Sequence, residues 1–173
     1  KNVRGLRKAV RRGSARRRHT LNNMPDAPEK NGECIELKYL VNGDNFTSAG
    51  EASVDVKRAL RELGFDATVI RRVAIAMYEG EINMVIHAEG GDATVNVYPD
   101  KIEIILSDKG PGIADIDLAM QEGYSTAPDN IRALGFGAGM GLPNMKRYSD
   151  EFNIDSVIGE GTTVRMVIYT DKD

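Results

Sequence analysis

Cysteine and tryptophan are nearly missing from this chain. Cys34 is the single cysteine among 173 residues, so no disulfide can close within the chain and a reducing, cytoplasmic setting is expected. With no Trp and only 6% aromatic residues, a base-stacking surface for single-stranded nucleic acid has little to be built from. No apolar run approaches the roughly 20 residues that cross a bilayer, so no membrane span is expected. Cys34, His19 and His87 lack the spacing of a zinc site, and no Gly-x-Ser-x-Gly elbow points to hydrolase chemistry.

What is present is the balance of one soluble domain, 41% hydrophobic and 28% charged. The length suits one such domain and is short for two. The net charge of −3 conceals an asymmetry: nine of the 23 basic residues fall in residues 1–25 with no acid, which leaves 14 against all 26 acids and a body near −12. Direct nucleic-acid binding is not expected of so acidic a body, because phosphate neutralisation drives that association. The basic stretch itself could touch nucleic acid or an anionic membrane, and its composition loosely resembles a transit peptide. Residues 1–33 are expected to be a basic, disordered extension and linker.

Beyond it, periodicity predicts a strand over 34–41 with Ile35, Leu37 and Tyr39 on one face. A helix from about 48 to 63 follows, stopped at Gly64. Asp66 caps a longer helix to about Ala88. Glu89–Asp92 closes that helix, and strands over 93–98 and 101–107 follow, the second with Ile102, Ile104 and Leu106 on one face. Residues 108–141 read as loop with one short helix near 115–122. A helix over 142–148 and strands over 152–157 and 162–169 complete an α+β layer, one sheet with helices on one face.

Four stretches could carry chemistry. Glu79 and Asn83 share a helix face, where a carboxylate and an amide can orient a nucleophile and hold a hydrated Mg²⁺; alone, such a pair is usually a solvated polar stripe. Asp108-Lys109-Gly110-Pro111-Gly112 follows an apolar strand, where an acid can accept from an exocyclic amine and glycines admit a flat ring; an ordinary turn has the same composition. Gly135, Gly137, Gly139 and Gly141 alternate before a helix, an anion nest more than a connector, although neither a Walker P-loop nor a dinucleotide fingerprint fits. Gly159-Glu160-Gly161-Thr162 alone is a hairpin turn.

In this order the four stretches resemble the N, G1, G2 and G3 boxes of the GHKL ATPase superfamily, over roughly residues 34–169. Gly123-Tyr124-Ser125-Thr126, the run from Gly137 to Pro143, and Lys146-Arg147 leading to Asp150-Glu151-Phe152 resemble the anti-sigma-factor serine/threonine kinases, in particular the RsbT-type switch kinases of the stressosome. Ala127–Leu134 makes the lid longer than in that type. The resemblance implies a Bergerat fold over 34–171, a two-layer α/β sandwich with a mixed, mostly antiparallel sheet. It implies ATP and Mg²⁺ as cofactors, Glu79 as general base and Asn83 as metal ligand. Asp108 and Thr162 would read adenine, with Gly110, Gly112 and Ile113 beside them. The lid residues Ser125, Thr126, Gly135, Gly137, Ala138, Gly139, Met140, Gly141 and Leu142 would wrap the phosphates. Lys146 or Arg147 would either meet phosphate charge or face solvent, and His87 would be a packed neighbour. The implied partner is a STAS-domain antagonist bearing the acceptor Ser or Thr, with a sigma factor or a PP2C-type phosphatase as further partners and homodimerisation left open. The alternative is a non-catalytic, nucleotide-gated module that sequesters a sigma factor or activates a phosphatase.

Overall fold

The computed structural model describes residues 34–44 and 46–170; the basic extension expected over 1–33 lies outside them. Alternating apolar positions make Ile35–Asn42 (β1) a strand, and the short 3₁₀ turn Phe46–Ser48 leads into helix α1, Glu51–Glu62. Gly64, at φ +82°, takes the left-handed position beyond that helix. Asp66 then caps the 21-residue helix α2, Ala67–His87, its carboxylate accepting from the Thr68 N–H at 2.7 Å. That bond most of all, with the Thr68 side chain and the Val69 and Ala67 N–H groups, lowers the Asp66 pKa. Strands β2, Gly90–Val97, and β3, Lys101–Ser107, form a hairpin.

The segment after β3 holds two short helices, α3 over Ile116–Ala119 and α4 over Asp129–Ala133. The sequence signals the first and not the second: Asp115 caps α3, accepting from the Leu118 N–H at 2.9 Å, whereas α4 has no side-chain cap. Helix α5, Gly141–Tyr148, and strands β4, Glu151–Val157, and β5, Gly161–Tyr169, complete the domain. The sheet order is β1-β2-β3-β5-β4 and every ladder is antiparallel. The α+β architecture is therefore as expected, with no parallel pair among the described residues. Strand β2 also begins earlier than its glycines suggest, since Gly90 and Gly91 pair with Asn42 and Val41.

Helices α1, α2 and α5 cover one sheet face. Leu60, Met77, Ile104 and Met166 are fully enclosed there, each contributing about 1.5–3 kcal/mol of burial. One charged side chain enters this layer. Glu81 of α2 is 2% exposed, and its two carboxylate oxygens accept from the Ala52 N–H at 2.9 Å and the Ser53 N–H at 3.2 Å. Gly50, ahead of α1, supplies no side-chain cap, so a residue of α2 satisfies the first turn of α1 and meets the positive end of its dipole.

Burial pushes the Glu81 pKa up from the ordinary 4.5, and the Ser53 and Ala52 N–H groups oppose the rise. The folded state thus holds the proton to higher pH than the unfolded chain does, so the Glu81 contribution to stability falls as pH rises from about 4.5 through the raised folded pKa. Urea unfolding across that window should show a shallower pH slope for Glu81→Gln. Glu81→Ala should cost about 1–3 kcal/mol, because two buried N–H donors lose their acceptor. An Ala variant as stable as the parent would show that α1 does not depend on this cap.

Candidate nucleotide-binding site

Helix α2 lies close on β3 because residue 80 is glycine: a Cβ there would stand 1.9 Å from Leu106 Cδ1. That approach brings Glu79 and Asn83, one turn apart, over the end of β3, where Asp108 begins the next loop. The Asp108 N–H donates to the Thr162 carbonyl at 2.9 Å. In return Asp108 Oδ1 accepts from the Thr162 N–H at 3.1 Å and the Gly110 N–H at 2.8 Å. The loop therefore fixes the carboxylate without a cationic partner. Gly161 makes this possible, since at φ +121° a Cβ would lie 2.0 Å from the Asp108 carbonyl oxygen.

Ser156 of β4 braces the same corner. Its hydroxyl accepts from the Ile113 N–H at 2.8 Å and lies 2.8 Å from Thr162 Oγ1. Sequence reasoning missed this residue, as it belongs to no glycine-rich stretch and its partners are 43 and 6 positions away.

The lid runs from Gly123 to Gly141. Gly135, Gly137 and Gly139 have φ of +88°, +70° and +75°, left-handed positions that other residues resist; the Gly135 and Phe136 N–H groups close the end of α4 on the Arg132 and Ile131 carbonyls at 2.9 and 3.3 Å. The Gly139 carbonyl accepts from the Gly123 N–H at 2.9 Å, and the Ser125 hydroxyl accepts from the Ala127 N–H at 3.1 Å. Phe136 packs on Phe46 with ring centroids 6.0 Å apart. At the lid's end a Cβ on Gly141 would stand 2.7 Å from Asn83 Oδ1, so backbone and amide share one wall. Asn144, one turn into α5, donates through Nδ2 to Glu79 Oε1 at 2.7 Å. That partner was also missed, because 65 residues separate the two.

These elements enclose a cavity of about 710 Å³, within the range of small-molecule and cofactor sites. Every candidate residue except Gly110 lines it. Gly110 sits behind, against Ala88, where a Cβ would be 2.6 Å from the Ala88 Cβ, and only its N–H serves the site. Met84, Leu106, Leu118 and Val164 supply an apolar wall. His87 reaches the rim; desolvation lowers its pKa and nearby Asp108 partly offsets this, so it is neutral at pH 7. No Lys or Arg lines the cavity among the described residues. Lys146 and Arg147 are exposed, and Arg147 pairs with Glu122 at 3.3 Å.

The shape suits a nucleotide: a largely apolar slot ending in a fixed carboxylate, opening toward glycine-rich backbone and an amide oxygen. Mg²⁺ fits as well. The described residues hold no group of three or more His, Cys, Asp or Glu able to bind a metal on its own, and Mg²⁺ at phosphates typically takes one or two protein oxygens with water and phosphate completing the shell. Asn83 Oδ1 is placed to be one.

Comparisons with known proteins bear on the family and the fold. A model of the histidine kinase-like ATPase domain matches residues 45–168. The serine/threonine-protein kinase RsbT of Bacillus subtilis is 35% identical over 115 residues, 64% of this chain and 80% of that one. An anti-sigma F factor of Caldanaerobacter subterraneus subsp. tengcongensis is 32% identical over 146 residues, 80% of this chain and 95% of the other. Among solved structures, the RsbU and RsbW domains of a Mycobacterium tuberculosis protein superpose with a TM-score of 0.55 over 80% of this chain and 33% of that one, at 17% identity, a likeness of fold.

Proposed function

The chain belongs to the histidine kinase-like ATPase family, and from that premise we propose that it is a Mg-ATP-dependent protein serine/threonine kinase and anti-sigma regulatory factor. The observation that carries the reading is the joint placement of Glu79, Asn83, Asp108 and the lid glycines around one cavity. Relatives named as a serine/threonine kinase and as anti-sigma F factors support it.

Each residue then has a physical task. Asp108, held by Gly110 and Thr162, keeps an acceptor facing the purine amine. Thr162 presents its hydroxyl to the same edge, oriented by Ser156. Glycine amides from Gly137 to Gly141 face the phosphates, where backbone dipoles stabilise charge without reorganisation, while Gly135, its N–H spent on the Arg132 carbonyl, shapes the loop ahead of them. Bound Mg²⁺ would neutralise charge developing between the β- and γ-phosphates. Asn83 holds its oxygen at the mouth, and Glu79 takes the proton of an incoming Ser or Thr hydroxyl as that oxygen attacks the γ-phosphorus and ADP leaves. Asn144 fixes one Glu79 oxygen, so the base meets the acceptor in a defined orientation.

The acceptor belongs to another protein, for which a STAS-type antagonist is the candidate, with a sigma factor or PP2C-type phosphatase in the same circuit. No described helix is long and apolar enough to cross a membrane. The anti-sigma F relatives favour a second reading, a nucleotide-gated module that sequesters a sigma factor without needing the chemistry. Labelled ATP incubated with the full chain and an antagonist domain tests the first reading. Phosphoprotein supports it, and bound nucleotide with no transfer supports the second.

A further inference from the structure

Glu79 does not face the nucleotide cavity alone. It also ends a second, open groove of about 690 Å³ that runs along the outer side of the α1–α2 pair. The groove follows α2 from Ala67 to Glu79, twelve residues or roughly 18 Å at a helical rise. Its floor and sides are apolar, with Ile70 and Ile75 below and Val54 66% exposed on the α1 wall. Its rim is basic: Lys57, Arg61 and Arg71 are all exposed, whereas the neighbouring Arg58 and Arg72 are committed to Asp55 and Asp150. No ion pair engages those three cations among the described residues.

Three unpaired cations on a body carrying about −12 form a local field opposite in sign to the rest of the surface. An apolar trough flanked by such charges, one helix wide and three turns long, is the complement of an amphipathic helix with an acidic flank. We propose that the α1–α2 groove docks an acidic amphipathic helix of the protein substrate and delivers the acceptor hydroxyl at its end to Glu79. The spacing is part of the proposal. Arg71 precedes Glu79 by eight residues, so the carboxylates of the docked helix lie about 12 Å from its acceptor Ser or Thr. A nucleic acid is the poorer occupant, because a phosphate backbone has no use for the exposed Val54 and the apolar floor of Ile70 and Ile75.

This inference rests on the kinase reading of Glu79, and the test separates the two. The probe is a designed helical peptide of about 18 residues with an apolar face, one terminal Ser and three Glu centred two turns away. Controls are the same peptide with Gln or Lys in place of Glu, and a short DNA duplex. Full-length protein with Mg-ATP should bind the Glu peptide at least tenfold more tightly than the Gln peptide, by fluorescence anisotropy at low salt. The triple variant Lys57→Glu, Arg61→Glu, Arg71→Glu should lose that preference and favour the Lys peptide, while binding labelled ATP as before. Equal binding of Glu and Gln peptides, an unchanged preference in the triple variant, or duplex binding stronger than peptide binding would overturn the docking site. Charge-dependent binding without transfer of labelled phosphate to the Ser overturns the kinase reading and leaves the docking site standing. Transfer that ignores peptide charge does the reverse.

Discussion

Glu79→Gln is expected to lower phosphoryl transfer by at least about a hundredfold, the scale of a lost general base, while nucleotide affinity stays within a few-fold. Glu79 lines the cavity beside Asn83, and its Oε1 is occupied by the Asn144 amide at 2.7 Å. Gln keeps the shape and an oxygen for that bond but can no longer take a proton. The two measurements must therefore part: labelled-ATP binding persists and phosphoprotein disappears. If transfer survives in the Gln variant, the proton is taken elsewhere and Glu79 is not the base. If partner binding and signalling persist while transfer is absent even in the parent, the sequestering reading is the right one.

The second large effect concerns base recognition. Asp108→Asn should weaken ATP binding roughly ten- to a hundredfold, the loss of one to two hydrogen bonds to a charged acceptor. The direction of the specificity change is more telling than its size. The Gly110 and Thr162 N–H groups both donate to Oδ1, so an Asn would turn its oxygen toward them. Its NH₂ would then point at the purine, which repels an exocyclic amine and accommodates a carbonyl. Inosine or guanosine triphosphate should gain on ATP in competition titrations with the variant. Unchanged ATP preference would show that Asp108 does not touch the base.

The sequence disclosed much of this site because the chemistry demands rare residue types at fixed intervals. Glu79 and Asn83 are legible through helical spacing, and the lid through a density of glycine that a mere connector does not need. What stayed hidden is what the fold creates by juxtaposition. Asn144 reaches Glu79 across 65 positions. Ser156 joins the Thr162 corner from a strand that looks ordinary in sequence. Glu81, two residues from Glu79, is singled out by no sequence pattern, and it is buried as the cap of another helix. Helix α4 has no capping side chain to announce it, and Gly90 and Gly91, read as a stop, are paired strand residues. The basic groove is invisible for the same reason: Lys57 and Arg71 meet only once α1 and α2 lie side by side.

Among the described residues no Lys or Arg lines the cavity, which bears on how the site tells one nucleotide from another. Nothing permanent in the wall distinguishes a spent nucleotide from a fresh one by charge. On the proposed reading that discrimination would fall to bound Mg²⁺ and to the glycine strap, whose grip depends on how many phosphate oxygens it can reach. On that same reading, the difference in affinity between triphosphate and diphosphate is set by backbone amides and metal, with no fixed cation to add to it.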